Sequence, residues 1–198
     1  MTARRLLPGA LGVLGGVVFL AAFVIEIPTE WNRWRIVLWD AGGIAVAVAT
    51  FGRHAAVSRP LALAATIPVV LAGAGGILWT LLTFGRVSPF SGDFGLAGFW
   101  IGIGAALATA WFGLVAAWLG VVWRPAAALL AAGSLMGIAG MDRLGLTSPA
   151  NPTIFGPIAL TGLALAALAW VALGIGVMTG REPGRAAMVP VPARDPSV

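Results

Sequence analysis

The sequence contains no cysteine, no tyrosine and no lysine, and it has a single histidine, His54. Without cysteine there is no disulfide, no thiolate metal site, no cysteine nucleophile and no lipidated cysteine. One histidine excludes a bis-histidine haem or a multi-histidine metal centre within this chain. Charge is also scarce. Only 10% of the 198 residues are charged, against about 25% in soluble domains, while 60% are hydrophobic. With a mean hydropathy of +0.98, this composition excludes an ordinary soluble globule, a disordered chain and a nucleic-acid module. A polytopic membrane protein remains. All twelve basic residues are arginine, and the chain is rich in Ala, Gly, Val and Pro. These residues have GC-rich codons, which suggests a high-GC bacterial source.

A helix crosses the hydrocarbon core with about 20 apolar residues. Six runs approach that length: Pro8 to Ile25, Ile36 to Phe51, Leu61 to Phe84, Phe94 to Val122, Ala126 to Met141 and Ile154 to Met178. The expected fold class is therefore all-α, a bundle of six transmembrane helices over residues 1–180. The first run has basic residues before it but no small-x-small cleavage site after it, so it is expected to be a retained helix. The tail, 181–198, holds four prolines and scattered charges, and is expected to be a disordered cytoplasmic segment.

The arginines set the orientation. Six spans put both termini and two turns on one side, with Arg4, Arg5, Arg53, Arg59, Arg124, Arg181, Arg185 and Arg194. Two acids accompany them there. The other side balances Arg33, Arg35, Arg86 and Arg143 against Glu26, Glu30, Asp93 and Asp142. Arginine marks the cytoplasmic face, so both termini are expected inside, in a plasma (inner) membrane. The charges do not form an aromatic-interleaved stripe, so no nucleic-acid partner is expected. Trp31, Trp34, Trp39, Trp79 and Trp100 fall near the outer boundary, and Trp118, Trp123 and Trp170 nearer the inner one. Arg59-Pro60 and Arg124-Pro125 each open a run at a cytoplasmic turn, where the missing proline N–H does no harm.

Asp40 is the most informative side chain, because it lies inside the second run. A carboxylate there costs on the order of 3 kcal/mol unless paired or wet. It is expected either to pair with Arg33, Arg35, Arg86 or Arg143, or to contact an ion, proton or solute in an outward-facing cavity. Asp142 and Arg143, at the start of the long loop after the fifth run, and Glu26, in the first outer loop, complete a candidate outer-face polar site. His54, beside Arg53, is expected to be solvated at the inner interface.

The fourth run is two-sided. At 100° per residue, Trp100, Trp111 and Trp118 fall within about 20° of one another, while Gly98, Gly102, Thr109, Gly113 and Ala116 lie opposite. The small-residue face is expected to pack, leaving the Trp face to lipid, a lipophilic ligand or a protein. Gly133 and Gly137 repeat the small-xxx-small spacing in the fifth run, and the glycine-dense stretch 72–76 marks either close packing in the third or an unwound segment exposing carbonyls to a substrate, with the lack of charge at that depth favouring packing.

Two fragments, Trp34-Arg35 and Gly133-Ser134-Leu135-Met136-Gly137, resemble rhomboid intramembrane proteases. That family's chemistry requires a histidine on a helix after the serine. Here His54 precedes it, which leaves Ser134 an unactivated hydroxyl. No catalytic residues, metal site or cofactor are expected. The sequence therefore reads as an accessory, sensory or assembly component acting through membrane lipids, a protein partner or its own copies at Gly/Ala faces. The alternative is a transporter or binding protein for a small or lipophilic solute entering near Asp40.

Overall fold

The computed structural model describes residues 3–24, 29–83, 92–139 and 157–180. Glu26, Asp142, Arg143 and the tail from 181 lie outside these residues. The described residues are helical, with no strand among them. They form α1 (Ala3–Val24), α2 (Thr29–Leu82), α3 (Gly92–Leu119), α4 (Arg124–Ala139) and α5 (Pro157–Thr179).

Helix α2 is two arms. Its backbone is extended at Ser58 (φ −154°, ψ 104°). Serine with such dihedrals is a favourable N-cap, and Arg59-Pro60 then opens the second arm, where proline lacks only a donor that a first turn does not use. The arms fold back on one another. Gly73 lies against Ile44 and Gly76 against Asp40, an antiparallel register centred on Ser58. The other Arg-Pro pair works in the same way. Gly120 (φ +64°) ends α3, its N–H donating to the Ala116 carbonyl at 3.1 Å, and Arg124-Pro125 begins α4. Gly120 is thus a left-handed helix cap.

The elements form a closed ring. Each packs on its neighbours in sequence, α1 closes on α5, and α2 also touches α5. Glycine makes the contacts close. A Cβ on Gly133 would come within 2.6 Å of the Gly162 carbonyl oxygen, and one on Gly113 within 2.6 Å of the Ala127 carbonyl oxygen. Along the α1–α5 seam Gly174 meets the Gly9 carbonyl oxygen at 2.7 Å in the same sense. The glycines of 72–76 stay within the helix, and two of them, Gly73 and Gly76, carry the contact between the arms.

The inside of the ring is small-residue and the outside is large. Ala47, Ala62, Ala127, Ala167 and Ala169 are fully buried, whereas Leu7, Leu71, Leu82 and Trp118 point outward. Soluble proteins more often bury leucines of this kind. Three helical stretches, Trp34–Leu82, Trp100–Leu119 and Ile158–Thr179, are long and apolar enough to cross a membrane, and the arrangement is compatible with a membrane protein.

Pro68 leaves the Ala64 carbonyl without its helical donor, because that carbonyl would take the N–H of residue 68. The indole Nε1–H of Trp111 on α3 donates to it at 3.0 Å. This accounts for a tryptophan at mid-helix: it remains about half exposed while satisfying a neighbour's backbone. Trp111→Phe is expected to lower stability in detergent by about 1 kcal/mol. The loss should shrink toward zero in a Pro68→Ala background, where the amide of residue 68 resumes the bond. Equal losses in the two backgrounds, measured by thermal unfolding, would show that the indole does not serve this carbonyl. Gly133→Val places methyl groups against backbone that cannot yield, and is expected to cost about 3 kcal/mol in the same assay.

Candidate functional site

The interior carries a polar stripe because both arms of α2 repeat at heptad spacing. On the first arm Asp40, Gly43, Ala47, Thr50 and His54 are all buried; on the second, Thr66, Val69, Gly73, Gly76 and Thr80. Spacings of three and four keep such residues on one helix face. The hairpin register that sets Asp40 opposite Gly76 also brings Thr66 opposite Thr50.

Asp40 is only 9% exposed. Its carboxylate occupies the space a side chain at position 76 would fill, so glycine at 76 is what admits it. It borders a cavity of about 10 Å³, the space that one water requires. Thr109 of α3 and Trp170 of α5 line the same cavity, with Gly43 and Gly73 of the two arms. Arg35, one of the cations expected to pair with Asp40, lies instead over the Phe19 ring, 5.6 Å from its centroid. Among the described residues no cation pairs with Asp40. Arg33, Arg86 and Arg143 are not among the described side chains, nor are Glu26 and Asp142, so the expected outer polar cluster is represented by Asp40 alone.

Below the cavity the aromatic rings form a column. Trp170, 2% exposed, stacks on Phe112 with centroids 5.8 Å apart and planes at 26°. His54 meets Phe112 edge-on, also at 5.8 Å, with planes at 76°. Two expectations are corrected here. Trp170 is a core residue and not an interfacial anchor. His54 is fully buried, and among the described residues neither ring nitrogen has a partner. The spacing signal that reveals this was available: His54 stands two heptads after Asp40, on the same face. Thr66 Oγ1 and Trp170 Nε1 are likewise buried without partners, whereas Thr50 donates to the Val46 carbonyl at 2.9 Å.

The Trp face of α3 points outward, Trp118 most of all at 83% exposed, with Trp100 also exposed. On the opposite face Gly98, Thr109, Gly113 and Ala116 are buried. Gly102 is not: it is exposed and a Cβ there would meet nothing, so it takes no part in packing within this chain. Gly133 and Gly137 are buried against α5, and Ser134 beside them is buried, with no histidine near it in sequence or ring contact.

The contact at position 76 yields a direct test. Gly76→Ala is expected to push the carboxylate toward the cavity and lower thermal stability by about 1–3 kcal/mol. In an Asp40→Ala background, where the space is vacated, the same change should be tolerated. A penalty unchanged by removing the carboxylate would disprove the contact. Against family models, curated proteins and solved structures alike, the chain finds no match.

Proposed function

We propose that this chain is a six-span plasma-membrane protein with both termini in the cytoplasm, in which Asp40 binds a proton or small cation admitted from the outer face. The observation that carries the reading is a buried carboxyl beside a water-sized cavity, with no cation on it among the described residues. A carboxyl at such depth is costly, and membrane proteins place such groups on ion and proton routes. The cavity limits the occupant. At about 10 Å³ it suits a water, a proton carrier or a bare cation, and a bulky lipophilic solute has no room in this conformation. The exposed leucines and tryptophans supply the lipid contact that six spans require.

Two measurements test this. The chain lacks cysteine, so single cysteines report sidedness cleanly. Ser58→Cys is expected to resist a membrane-impermeant maleimide added outside intact cells, while Ser91→Cys, between the third and fourth runs, reacts. The reverse pattern would invert the orientation. Dicyclohexylcarbodiimide enters lipid and couples to protonated carboxyls. It is expected to label Asp40 in lipid vesicles, with labelling falling several-fold as outer pH or monovalent salt is raised, and to leave Asp40→Asn unmodified at that position. A carboxyl that never labels, or labels regardless of outer conditions, would overturn the assignment.

A second reading, an accessory or assembly component, draws on α3. Gly104 is exposed with open space above it, one turn from exposed Trp100, a surface that admits the backbone of another helix. Gentle detergent purification should then retain a second copy or a partner, and Gly104→Leu should release it.

A further inference from the structure

The buried histidine has no role in the Asp40 reading, yet the two groups share one helix face. Fourteen residues at 1.5 Å each separate them by about 21 Å along the first arm, some two-thirds of a hydrocarbon core of about 30 Å. Asp40 lies toward the outer end and His54 toward the inner one. Between them stand the Trp170 and Phe112 rings, the first lining the Asp40 cavity and the second touching His54. Buried polar atoms accompany the rings: Thr109 at the cavity, Trp170 Nε1, and Thr66 Oγ1 on the facing stripe.

An imidazole buried with both nitrogens unpartnered is costly, because each loses its water without gaining a partner. A structural histidine would have at least one nitrogen tied to a carbonyl or hydroxyl. The groups around His54 do not supply this. Phe112 faces it from α3, Trp170 stands behind Phe112 from α5, and the second arm brings the Thr66 hydroxyl to the same stripe. Arg53 is its neighbour in the chain, and Arg59 and Arg124 are the other described cations at the inner end. No carboxyl stands there among the described side chains, where Asp40 is the only one.

We propose that His54 is the inner proton-exchange site of a pathway whose outer site is Asp40, with the stacked Trp170 and Phe112 rings as the hydrophobic barrier between them. The inference rests on the proposed binding role of Asp40. The Asp40 carboxyl releases a proton to water in its cavity. When the ring stack parts, water carries a proton past it, and a lone pair on a His54 ring nitrogen accepts it. The imidazolium then returns that proton to water at the inner face. No bond between heavy atoms is made or broken, and the membrane gradient supplies the drive.

The test uses full-length protein in lipid vesicles with a trapped pH dye and a potassium diffusion potential. Wild-type protein is expected to pass protons. His54→Phe and Asp40→Asn should each reduce the flux at least tenfold, and Phe112→Ala should raise it several-fold by thinning the barrier. Because the chain has one histidine, ¹⁵N-histidine labelling gives an NMR readout on unmutated protein, independent of whether any variant folds. The imidazole is expected to change protonation with the pH inside the vesicle and not with that outside. Flux that persists in His54→Phe, or an imidazole fixed in one neutral tautomer at every interior pH, would overturn the pathway. Carbodiimide labelling separates the two readings. A labelled Asp40 in protein that passes no protons removes the pathway and leaves the outer site standing, whereas an unlabelled Asp40 removes both.

Discussion

Backbone-to-backbone contact through glycine is the constraint on which the rest of this bundle depends. Lipid tails are as apolar as leucine, so helices in a bilayer gain little from burying large side chains and associate through close packing. Here that closeness runs around the ring, from Gly9 against Gly174 to Gly113 against Ala127 and Gly133 against Gly162. The result is an alanine-lined interior in which only a few large side chains fit. Trp170, Phe112, Leu130 and His54 are the largest of them. An interior so narrow leaves little space for water, and the cavity beside Asp40 is itself only water-sized.

Backbone satisfaction shapes the hairpin. A non-helical break within a bilayer is costly because freed carbonyls find no water. Ser58 puts its break at the turn, between Arg53 and Arg59, where the sequence turns polar. Pro68 makes a second, smaller break, one carbonyl deep, and Trp111 closes it from the next helix. A single indole thus explains why proline is tolerated well inside the second arm, and it ties that arm to α3 at a point where the ladder would otherwise be weak.

Much of the architecture was legible in the sequence because it is local. The apolar runs, the Arg-Pro starts and the small-xxx-small pairs at Gly133 and Gly137 each depend on residues close together in the chain. The second run and the third are joined in one element with an extended residue between them, at the turn the arginines indicated. What stayed hidden was pairwise and distant. Trp111 makes sense only beside Pro68, and nothing within α3 announces a missing donor on α2. Trp170 stands in a run that is apolar on both sides, and its burial follows from where Phe112 sits. His54 was placed by its neighbour Arg53, which suggests water, although its spacing from Asp40 and Thr50 points to the interior. Gly102 shows the converse: it has the angle for packing, yet among the described residues nothing lies against it.

The hairpin also bears on how the chain is made. The first arm leaves the ribosome carrying a carboxyl whose cover, Gly76 and Gly73, is still unsynthesised. On the proposed membrane reading, that arm alone in the insertion channel would present Asp40 directly to lipid. Only when the second arm emerges and doubles back at Ser58 does the acid acquire its glycine seat, so the two arms have reason to leave the translocon together, as one unit.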